Sequence, residues 1–287
     1  MKHKIILITG ASDGVGKQTA ITLAKQGHTL IIHGRNKAKT KASYDEIIAS
    51  SGNHNVDMYT ADFLSLASVK QFSEEIKSKY EHIDVLINNA GAQFTDTREL
   101  THEGHEKTMV INVFAPMLLT LLLMDLLKKS ESARVVTVAS DAHKMTGKPN
   151  LDDLELSQGY TMPKAYGLSK LYIIWVMRHF TSEMRRLGIN NITFNSVHPG
   201  STASNLGREA AKSLKWKILF FLWTPLLVSI DKAASSSILA ATSESLEGIN
   251  NKYIGPKGEE LVKEKYYSAD NELKVWNYSM NVIQDYL

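Results

Sequence analysis

Residues 9–16 read Thr-Gly-Ala-Ser-Asp-Gly-Val-Gly, and this glycine turn decides the fold. A short apolar run from Lys4 to Ile8 precedes it, and apolar residues at helical spacing follow it from Thr19 to Ala24. The order is therefore strand, turn, helix. Glycines permit the tight turn and let a diphosphate approach main-chain N–H groups at the positive end of the helix. The spacing is G-x-x-x-G-x-G and not G-x-G-x-x-G, but both flanking elements are present, so a dinucleotide site is favoured over a plain strand-to-helix turn.

A second predicted strand, His28 to His33, ends at Gly34-Arg35-Asn36. At the tip of this strand in a dinucleotide fold, a carboxylate suits a ribose 2'-hydroxyl and an arginine suits a 2'-phosphate. Arg35 stands there with Lys37 and Lys39 close behind, which favours NADP(H). Asp13 argues the other way because it places negative charge near the extra phosphate, so NAD(H) stays open. An arginine that only caps the strand is the structural alternative.

Strands and helices continue to alternate along the first half of the chain. A predicted strand at Val56 to Thr60, a helix from Ser65 to about Tyr80 and a strand at Ile83 to Ile87 predict a parallel sheet with ligands at the carboxyl ends of its strands. Asp62-Phe63 and Asn88-Asn89-Ala90-Gly91 follow the third and fourth strands at such ends. Asp62 is equally explained as the cap of the following helix.

Helix signals run from Gly104 through Lys129 and surround a polar amide, Asn112, with apolar neighbours. An amide in such surroundings must find hydrogen-bond partners, so it is a structural hydrogen-bonder or part of a site. Residues 102–106 read His-Glu-Gly-His-Glu, but the histidines are three apart with a glycine between them and no third ligand nearby. We therefore expect a solvated helix start at this point and no metal site.

A hydroxyl, a phenol and an amine follow in the second half. The predicted strand 134–139 delivers Ser140 to the same sheet edge, where its hydroxyl can hydrogen-bond a carbonyl oxygen. A long irregular connection, residues 141–163, leads to a predicted helix on which Tyr166 and Lys170 share one face. A nearby fixed charge favours phenolate and should bring the pKa of the phenol from about 10 towards neutrality. Taken alone, Tyr-x-x-x-Lys also occurs on ordinary surface helices.

Length and composition set the remaining limits. The 287 residues show no composition break, repeat or linker, so we expect a single domain over residues 1–287. A formal charge of +3 without a long basic run gives no reason to expect a nucleic-acid partner. Zero cysteines exclude disulfides and, with no signal-peptide pattern at the start, favour a cytoplasmic location. The apolar stretch 216–228 contains Lys217 and Pro225 and is too short to span a bilayer.

Together these residues resemble the short-chain dehydrogenase/reductase family, and the resemblance covers nearly the whole chain. It implies an α/β Rossmann fold, a doubly wound parallel sheet with helices on both faces. The long Ser140 to Tyr166 interval, Asp141-Ala142-His143 and residues 205–208 are most similar to the retinol dehydrogenase and WW-domain oxidoreductase branch. The motifs that carry the resemblance are Thr9-Gly10-x-x-x-Gly14-x-Gly16, Asn88-Asn89-Ala90-Gly91, Asn112, Ser140, Tyr166-x-x-x-Lys170 and His198-Pro199-Gly200.

The resemblance also implies a role for each site residue. Tyr166 is the implied general acid/base, and Lys170 lowers its pKa and bonds the nicotinamide ribose. Ser140 orients the substrate oxygen, and Asn112 holds a water that links Lys170 to solvent. Thr202 or Ser204 meets the carboxamide, since either hydroxyl fits the place of the branch's threonine. The implied cofactor-binding residues are Gly10, Ser12, Asp13, Gly14, Val15, Gly16, Arg35, Asn36, Asp62, Phe63, Asn89, Ala90, Gly91, Tyr166, Lys170, Pro199, Gly200, Thr202 and Ser204.

The implied function is an NADP(H)-dependent oxidoreductase that interconverts an apolar alcohol and its aldehyde or ketone. The apolar substrate is expected because Trp216, Phe220, Phe221 and Trp223 fall in residues 201–230, a predicted substrate lid. A shallow membrane-resting patch and ordinary packing are the alternatives for this segment. A closing helix from Ser268 to Tyr286 could touch a partner subunit, which leaves a homo-oligomer open. A non-catalytic NADP(H)-binding redox sensor or scaffold is the alternative function.

Overall fold

The computed structural model describes residues 2–201 and 228–287. Its centre is an eight-stranded sheet with the strand order β3-β2-β1-β4-β5-β6-β7-β8. Neighbouring strands are parallel except for β7 and β8, which pair antiparallel. The strands are β1 Ile5–Ile8, β2 Thr29–Gly34, β3 Val56–Thr60, β4 Val85–Asn88, β5 Ala133–Val138, β6 Ile192–Val197, β7 Tyr253–Gly255 and β8 Gly258–Glu260.

Helices cover both faces of the sheet, so the predicted doubly wound α/β fold is confirmed. Helices α1, α2 and α8 pack on one face, and α3, α5, α7 and α9 pack on the other. The described ranges also contain three short 3-10 turns, at Asp141–Met145, Glu244–Leu246 and Gln284–Tyr286, and one π-helix, Val110–Phe114. The helices are α1 Gly14–Lys25, α2 Lys37–Ser51, α3 Leu66–Lys79, α4 Lys107–Met109, α5 Ala115–Leu122, α6 Met124–Lys128, α7 Met162–Arg186, α8 Ile230–Thr242 and α9 Ala269–Ile283.

Each central strand feeds both hydrophobic cores. In β1, Leu7 belongs to the core under α7, whereas Ile6 and Ile8 belong to the core under α1 and α8. All three side chains are fully buried. Continuous apolar strands of this kind are expected when a parallel sheet is covered on both faces. In this order β1 lies between β2 and β4. The connection from β1 leads to β2 on one side, and the connection from β3 leads to β4 on the other, which opens a crevice at the carboxyl end of β1.

The helix predicted over Gly104 to Lys129 is broken into pieces. Val110–Phe114 forms a π-helix between α4 and α5, and the N–H of Ala115 bonds to the carbonyl of Val110. Pro116 follows at once and has no N–H to return to the carbonyl of Asn112, which explains why the regular helix is widened there. Such widened turns often mark functional sites.

The ends of the predicted lid lie close together. The N–H of Val228 donates to the carbonyl of Ser201 at 2.8 Å, and α8 begins at Ile230. The remainder of the lid, with its four aromatic residues, lies outside the described residues. Among the helices of the two described ranges, none has both the length and the apolar character that a bilayer span requires. The closing helix α9 uses its buried residues, such as Val275 and Ile283, inside this chain, against α7 and the π-helix.

Candidate active site

Thr9 and Asn89 fasten the glycine turn to the end of β4. The Thr9 hydroxyl accepts hydrogen bonds from the N–H groups of Asn89 at 3.0 Å and Ala90 at 2.9 Å. The Asn89 amide in turn donates to the carbonyl oxygens of Thr9 at 2.8 Å and Gly10 at 3.1 Å. Gly10 has a φ of +67°, which favours glycine. Asn89 therefore holds the shape of the turn from the neighbouring strand.

Gly16 allows helix α1 to begin against this turn. A Cβ atom at position 16 would overlap the carbonyl oxygen of Gly10 and the side-chain amide of Asn89. Asp13 caps the helix, because its carboxylate accepts from the N–H of Gly14 at 2.8 Å. The positive end of α1 thus faces the crevice, in the arrangement that binds phosphate groups in other proteins.

Two basic side chains, Arg35 and Lys39, lie just beyond the end of β2. Arg35, Asn36 and Lys39 line the same cavity as the glycine turn, and Asn36 caps α2 by accepting from the N–H of Lys39 at 3.0 Å. Gly34 lets the end of β2 pack against the glycine turn, since a Cβ at position 34 would come within 2.8 Å of the Ser12 Cβ. The structure thus places Arg35 beside the glycine turn, at the end of β2 where the sequence predicted it.

One cavity of about 440 Å³ brings most of the predicted site together. It runs from the charged end of β2, past the glycine turn, to Tyr166 and Lys170 on α7. Lys39, Val138 and Ala139 also line it and were not among the predicted site residues. The predicted residues that line it are Gly10, Ser12, Asp13, Gly14, Val15, Gly16, Arg35, Asn36, Asn89, Ala90, Gly91, Tyr166, Lys170 and Pro199.

Several predicted residues do not line this cavity. Asp62 is exposed and its carboxylate accepts from the N–H of Leu64 at 3.0 Å. It is not the cap of α3 either, because Ser65 takes that place and accepts from the N–H of Ser68. Phe63 is buried and stacks on His33 with the ring centres 4.1 Å apart. Gly200 is not among the lining residues, and Thr202 and Ser204 are outside the described residues.

His33 is a buried part of the site that the sequence did not reveal. One ring nitrogen accepts from the N–H of Gly10 at 3.3 Å, and the other lies 3.0 Å from the carbonyl oxygen of Ala61. Burial lowers the pKa of His33 to about 4, so the ring stays neutral at ordinary pH. A neutral ring with its proton on Nε2 satisfies both contacts at once. The only sequence signal was a histidine at the end of an otherwise apolar strand.

The phenol, hydroxyl and amine come together at the inner end of the cavity. Tyr166 is hydrogen-bonded to Ser140, which follows β5 and accepts from the N–H of Ala142 at 3.2 Å. Lys170 donates from Nζ to the carbonyl oxygen of Val138 at 2.9 Å, and Nζ lies 5.7 Å from the centre of the Tyr166 ring. One sheet strand, β5, and one helix, α7, therefore supply these groups.

Burial shifts the pKa values of Tyr166 and Lys170 in opposite directions, and both shifts favour the uncharged form of the side chain. It raises the pKa of Tyr166 to about 12, although the hydrogen bond with Ser140 acts the other way. It also lowers the pKa of Lys170 to about 7. The expectation that the lysine charge alone brings the phenol towards neutrality is thus not met, because desolvation dominates and Nζ is held by a carbonyl.

Asn112 ties the π-helix to this centre. Its amide donates to the carbonyl of Ala92 at 3.0 Å and to the hydroxyl of Ser169 at 3.1 Å, and its oxygen accepts from the N–H of Ala92 at 3.2 Å. A Cβ on Gly91 would lie 2.8 Å from this oxygen and 3.3 Å from Nζ of Lys170. Asn112 is therefore adjacent to the lysine although it is not part of the cavity wall.

Buried polar contacts anchor the long connection before α7. The Glu155 carboxylate accepts from the N–H of Glu106 at 2.6 Å, lies 2.9 Å from Nδ1 of His105 and accepts from the Tyr278 hydroxyl at 2.6 Å. Glu106 is itself buried and caps α4. The helix start expected to be solvated is thus partly buried, because Glu155 from a distant segment covers it.

Comparison with known proteins gives a family match and relatives that align with most of this chain. The short chain dehydrogenase family model matches residues 4–215. Polyprenol dehydrogenase of Homo sapiens is 33% identical over 282 residues, which are 96% of this chain and 84% of that protein. Retinol dehydrogenase 13 of Homo sapiens is 35% identical over 259 residues, 88% of this chain and 76% of that protein. The WW domain-containing oxidoreductase of Gallus gallus is 32% identical over 296 residues, 100% of this chain and 70% of that protein.

Solved structures share the fold. A crystal structure of a protein from Mycobacterium paratuberculosis superposes with a TM-score of 0.77 at 26% identity, over 98% of this chain and 93% of that one. A short chain dehydrogenase from Shigella flexneri, crystallised with NADP, gives a TM-score of 0.69 at 23% identity, over 90% and 98% of the two chains. Both comparisons extend across almost the entire sheet and its helices.

Proposed function

The chain belongs to the short-chain dehydrogenase family, in its retinol dehydrogenase-like branch, and we propose that it is an NADP(H)-dependent oxidoreductase that interconverts an apolar alcohol and its aldehyde or ketone. Oxidoreductase chemistry is the activity of the family. The observation that carries the finer proposal is that one cavity joins the glycine turn, Arg35, Tyr166 and Lys170. Binding groups and proton-transfer groups thus share a single space.

The residues present fit a nicotinamide dinucleotide. The turn has no room for a Cβ at Gly16, and the start of α1 offers its positive end to a diphosphate. Arg35 and Lys39 supply the charge that suits a 2'-phosphate at the end of β2. Asp13, the argument against NADP(H), has its carboxylate engaged in capping α1. The bound cofactor would supply the hydride acceptor or donor, and the protein would supply position and charge.

Tyr166 and Ser140 are the groups proposed to act on the substrate oxygen. With its pKa raised to about 12, the Tyr166 phenol is protonated at neutral pH and can give its proton to a carbonyl oxygen during reduction. The Ser140 hydroxyl, bonded to the same phenol, can donate to that oxygen as negative charge develops on it. Lys170 places an amine beside the ring, and in the oxidative direction its charge would favour the phenolate.

The names of two relatives support an apolar substrate. Polyprenol dehydrogenase and retinol dehydrogenase 13 are both named for long, largely hydrocarbon alcohols, and they share a third or more of their aligned residues with this chain. The aromatic residues within 201–230 are a sequence feature that agrees with such a substrate, and a shallow membrane contact is the alternative proposed for them. Assembly into a homo-oligomer also belongs to the proposal.

Turnover of NADPH with a carbonyl panel tests the proposal. Purified protein and NADPH are mixed with apolar aldehydes and ketones of increasing chain length, and the loss of absorbance at the NADPH band is followed. We expect oxidation of NADPH in the wild type and its loss in Tyr166→Phe, with NADPH binding retained. Binding without oxidation across the whole panel would instead favour the redox sensor or scaffold.

Cofactor preference is tested separately with Arg35→Ala. A charge-assisted contact with a phosphate is worth roughly 1.5–3 kcal/mol, so the KM for NADPH should rise at least tenfold while the KM for NADH changes little. Equal effects on the two cofactors would refute the assignment of Arg35 to a 2'-phosphate and would favour the strand-capping alternative.

A further inference from the structure

A cluster of charged side chains lies directly behind the reaction site, between the ends of β5 and β6 and the β7–β8 hairpin. We call it the Glu260 cluster, and it comprises Asp141, Lys144, His198 and Glu260. The Lys144 ammonium lies 2.7 Å from Asp141 and 3.3 Å from Glu260. On the other side, Glu260 Oε1 lies 3.0 Å from His198 Nε2, and Asp141 lies 3.6 Å from His198 Nδ1.

A lysine already occupies the space between the two carboxylates of this cluster. Asp141, His198 and Glu260 offer ligand atoms within 4.8 Å of one another, which is the spacing of a metal site. The Lys144 ammonium, however, pairs with both carboxylates, so their charge is met by a side chain of the same chain. The cluster is therefore better explained as a device that orients His198.

His198 is held from every side. It is only 3% exposed, its main-chain N–H donates to the carbonyl of Ile254 at 2.9 Å, and its ring stacks on Tyr253 with the centres 5.1 Å apart. Its carbonyl oxygen accepts from the Ser236 hydroxyl at 3.0 Å. The position of the ring is therefore fixed, and its two neutral tautomers differ in which nitrogen carries the proton.

The hydrogen bond to Gly200 requires one of the two neutral forms of the ring. The N–H of Gly200 donates to Nδ1 of His198 at 3.2 Å, and Nδ1 can accept it only when the proton of the neutral ring is on Nε2. Nε2 lies 3.0 Å from the carboxylate of Glu260 but does not meet the geometry of a hydrogen bond with it, so the contact is electrostatic. A carboxylate at this position favours a proton on Nε2 over a proton on Nδ1.

The hairpin is shaped for this contact. A Cβ on Gly255 would overlap both the Glu260 carboxylate and Nε2 of His198. Gly255 pairs with Gly258 where the chain reverses from β7 to β8. Only a glycine at position 255 lets the β8 carboxylate reach the buried ring.

We propose that Glu260 is a positioning residue for the reaction site: it keeps His198 in the Nε2-protonated form, and His198 thereby holds the Pro199-Gly200 segment against the cofactor cavity. The proposal rests on the proposed function, because Pro199 is the part of this segment that lines the cavity. Asp141 extends the same network to the residue next to Ser140. The hairpin formed by β7 and β8 is thus expected to set the position of the Pro199 wall of the cavity.

Two measurements test the proposal on the full-length protein. The first is the nitrogen chemical shift of the His198 ring by NMR without cofactor, assigned by comparison with His198→Gln. We expect the Nε2-protonated form in the wild type and a mixture of the two neutral forms in Glu260→Gln. A wild-type ring protonated on Nδ1 would overturn the proposal, and this result does not depend on the folding of Glu260→Gln.

The second measurement is the Kd for NADPH from fluorescence titration at pH 7.5. Glu260→Gln should weaken binding about five- to tenfold, whereas Glu259→Gln should stay within twofold. Glu259 is a matched control because it lies on the same strand and pairs with Lys252. If the wild type binds NADPH, equal changes of the Kd in the two variants, or an unchanged Kd in Glu260→Gln, would overturn this proposal alone. A wild type that does not bind NADPH would refute the proposed function as well.

Discussion

Replacing Lys170 with methionine should stabilise the protein while abolishing its activity. The Lys170 amine is almost fully buried, and desolvation lowers its pKa from 10.5 to about 7. In the unfolded chain the amine stays charged up to its ordinary pKa, so folding must either bury the charge or release the proton. Each pKa unit corresponds to 1.36 kcal/mol, so the cost of folding this lysine has an upper limit of about 5 kcal/mol.

The sign and the pH window follow from the lowered pKa. The cost is present in full below about pH 7, where both states are charged, and it disappears as the pH rises to 10.5. Methionine has a similar length and fits irregular space, but it leaves the carbonyl of Val138 without its 2.9 Å hydrogen bond, a loss of roughly 1–3 kcal/mol. The net gain should be about 2 kcal/mol near pH 6 and should fall to zero or below near pH 10.

Urea unfolding followed by circular dichroism at pH 6, 7.5 and 9 measures this difference. Lys148→Met removes an exposed lysine from the connection before α7 and serves as the control, with no change expected beyond about 0.5 kcal/mol. A Lys170→Met variant that is less stable than the wild type at pH 6 would refute the reasoning. So would a difference between the two proteins that does not change with pH.

Two further substitutions test the turn and the connection before α7. Gly16→Ala should weaken NADPH binding at least tenfold and lower the free energy of unfolding by about 1–3 kcal/mol, because its Cβ overlaps Gly10 and Asn89. Gly147→Ala meets no atom within 4 Å and should change neither quantity, as titration and urea unfolding will show. Tyr278→Phe removes a 2.6 Å hydrogen bond to a buried carboxylate and should lower the free energy of unfolding by about 1 kcal/mol, with kcat within twofold of the wild type. An unchanged urea midpoint would show that this bond contributes nothing.

The sequence was most informative where function and local structure depend on the same residues. The turn at residues 9–16 needs glycine for both its shape and its close packing, so its spacing revealed the strand, the helix and the cavity together. Tyr166 and Lys170 were also placed correctly, because a four-residue spacing fixes their relative position on any helix. Arg35 could be located from the end of β2 alone.

Features that depend on how the elements pack together could not be predicted from the sequence in the same way. Helix α2 buries only Thr40, Ser43 and Ile47, so it lacks the apolar stripe by which a helix is recognised. Asp62 and Phe63 stand at a strand end as predicted, but one faces solvent and the other packs in the core. A position along the chain gives the sheet edge and not the direction of the side chain.

The chemistry of the site was harder to foresee than its location. A spacing of four residues suggested a charge beside a phenol, but the outcome depends on how much water the fold removes from each group. Here desolvation dominates, so the phenol of Tyr166 keeps its proton and Lys170 is only partly charged near pH 7. A protonated phenol is the form that can give a proton to a substrate oxygen. That proton transfer is the step that the proposed carbonyl reduction requires of Tyr166.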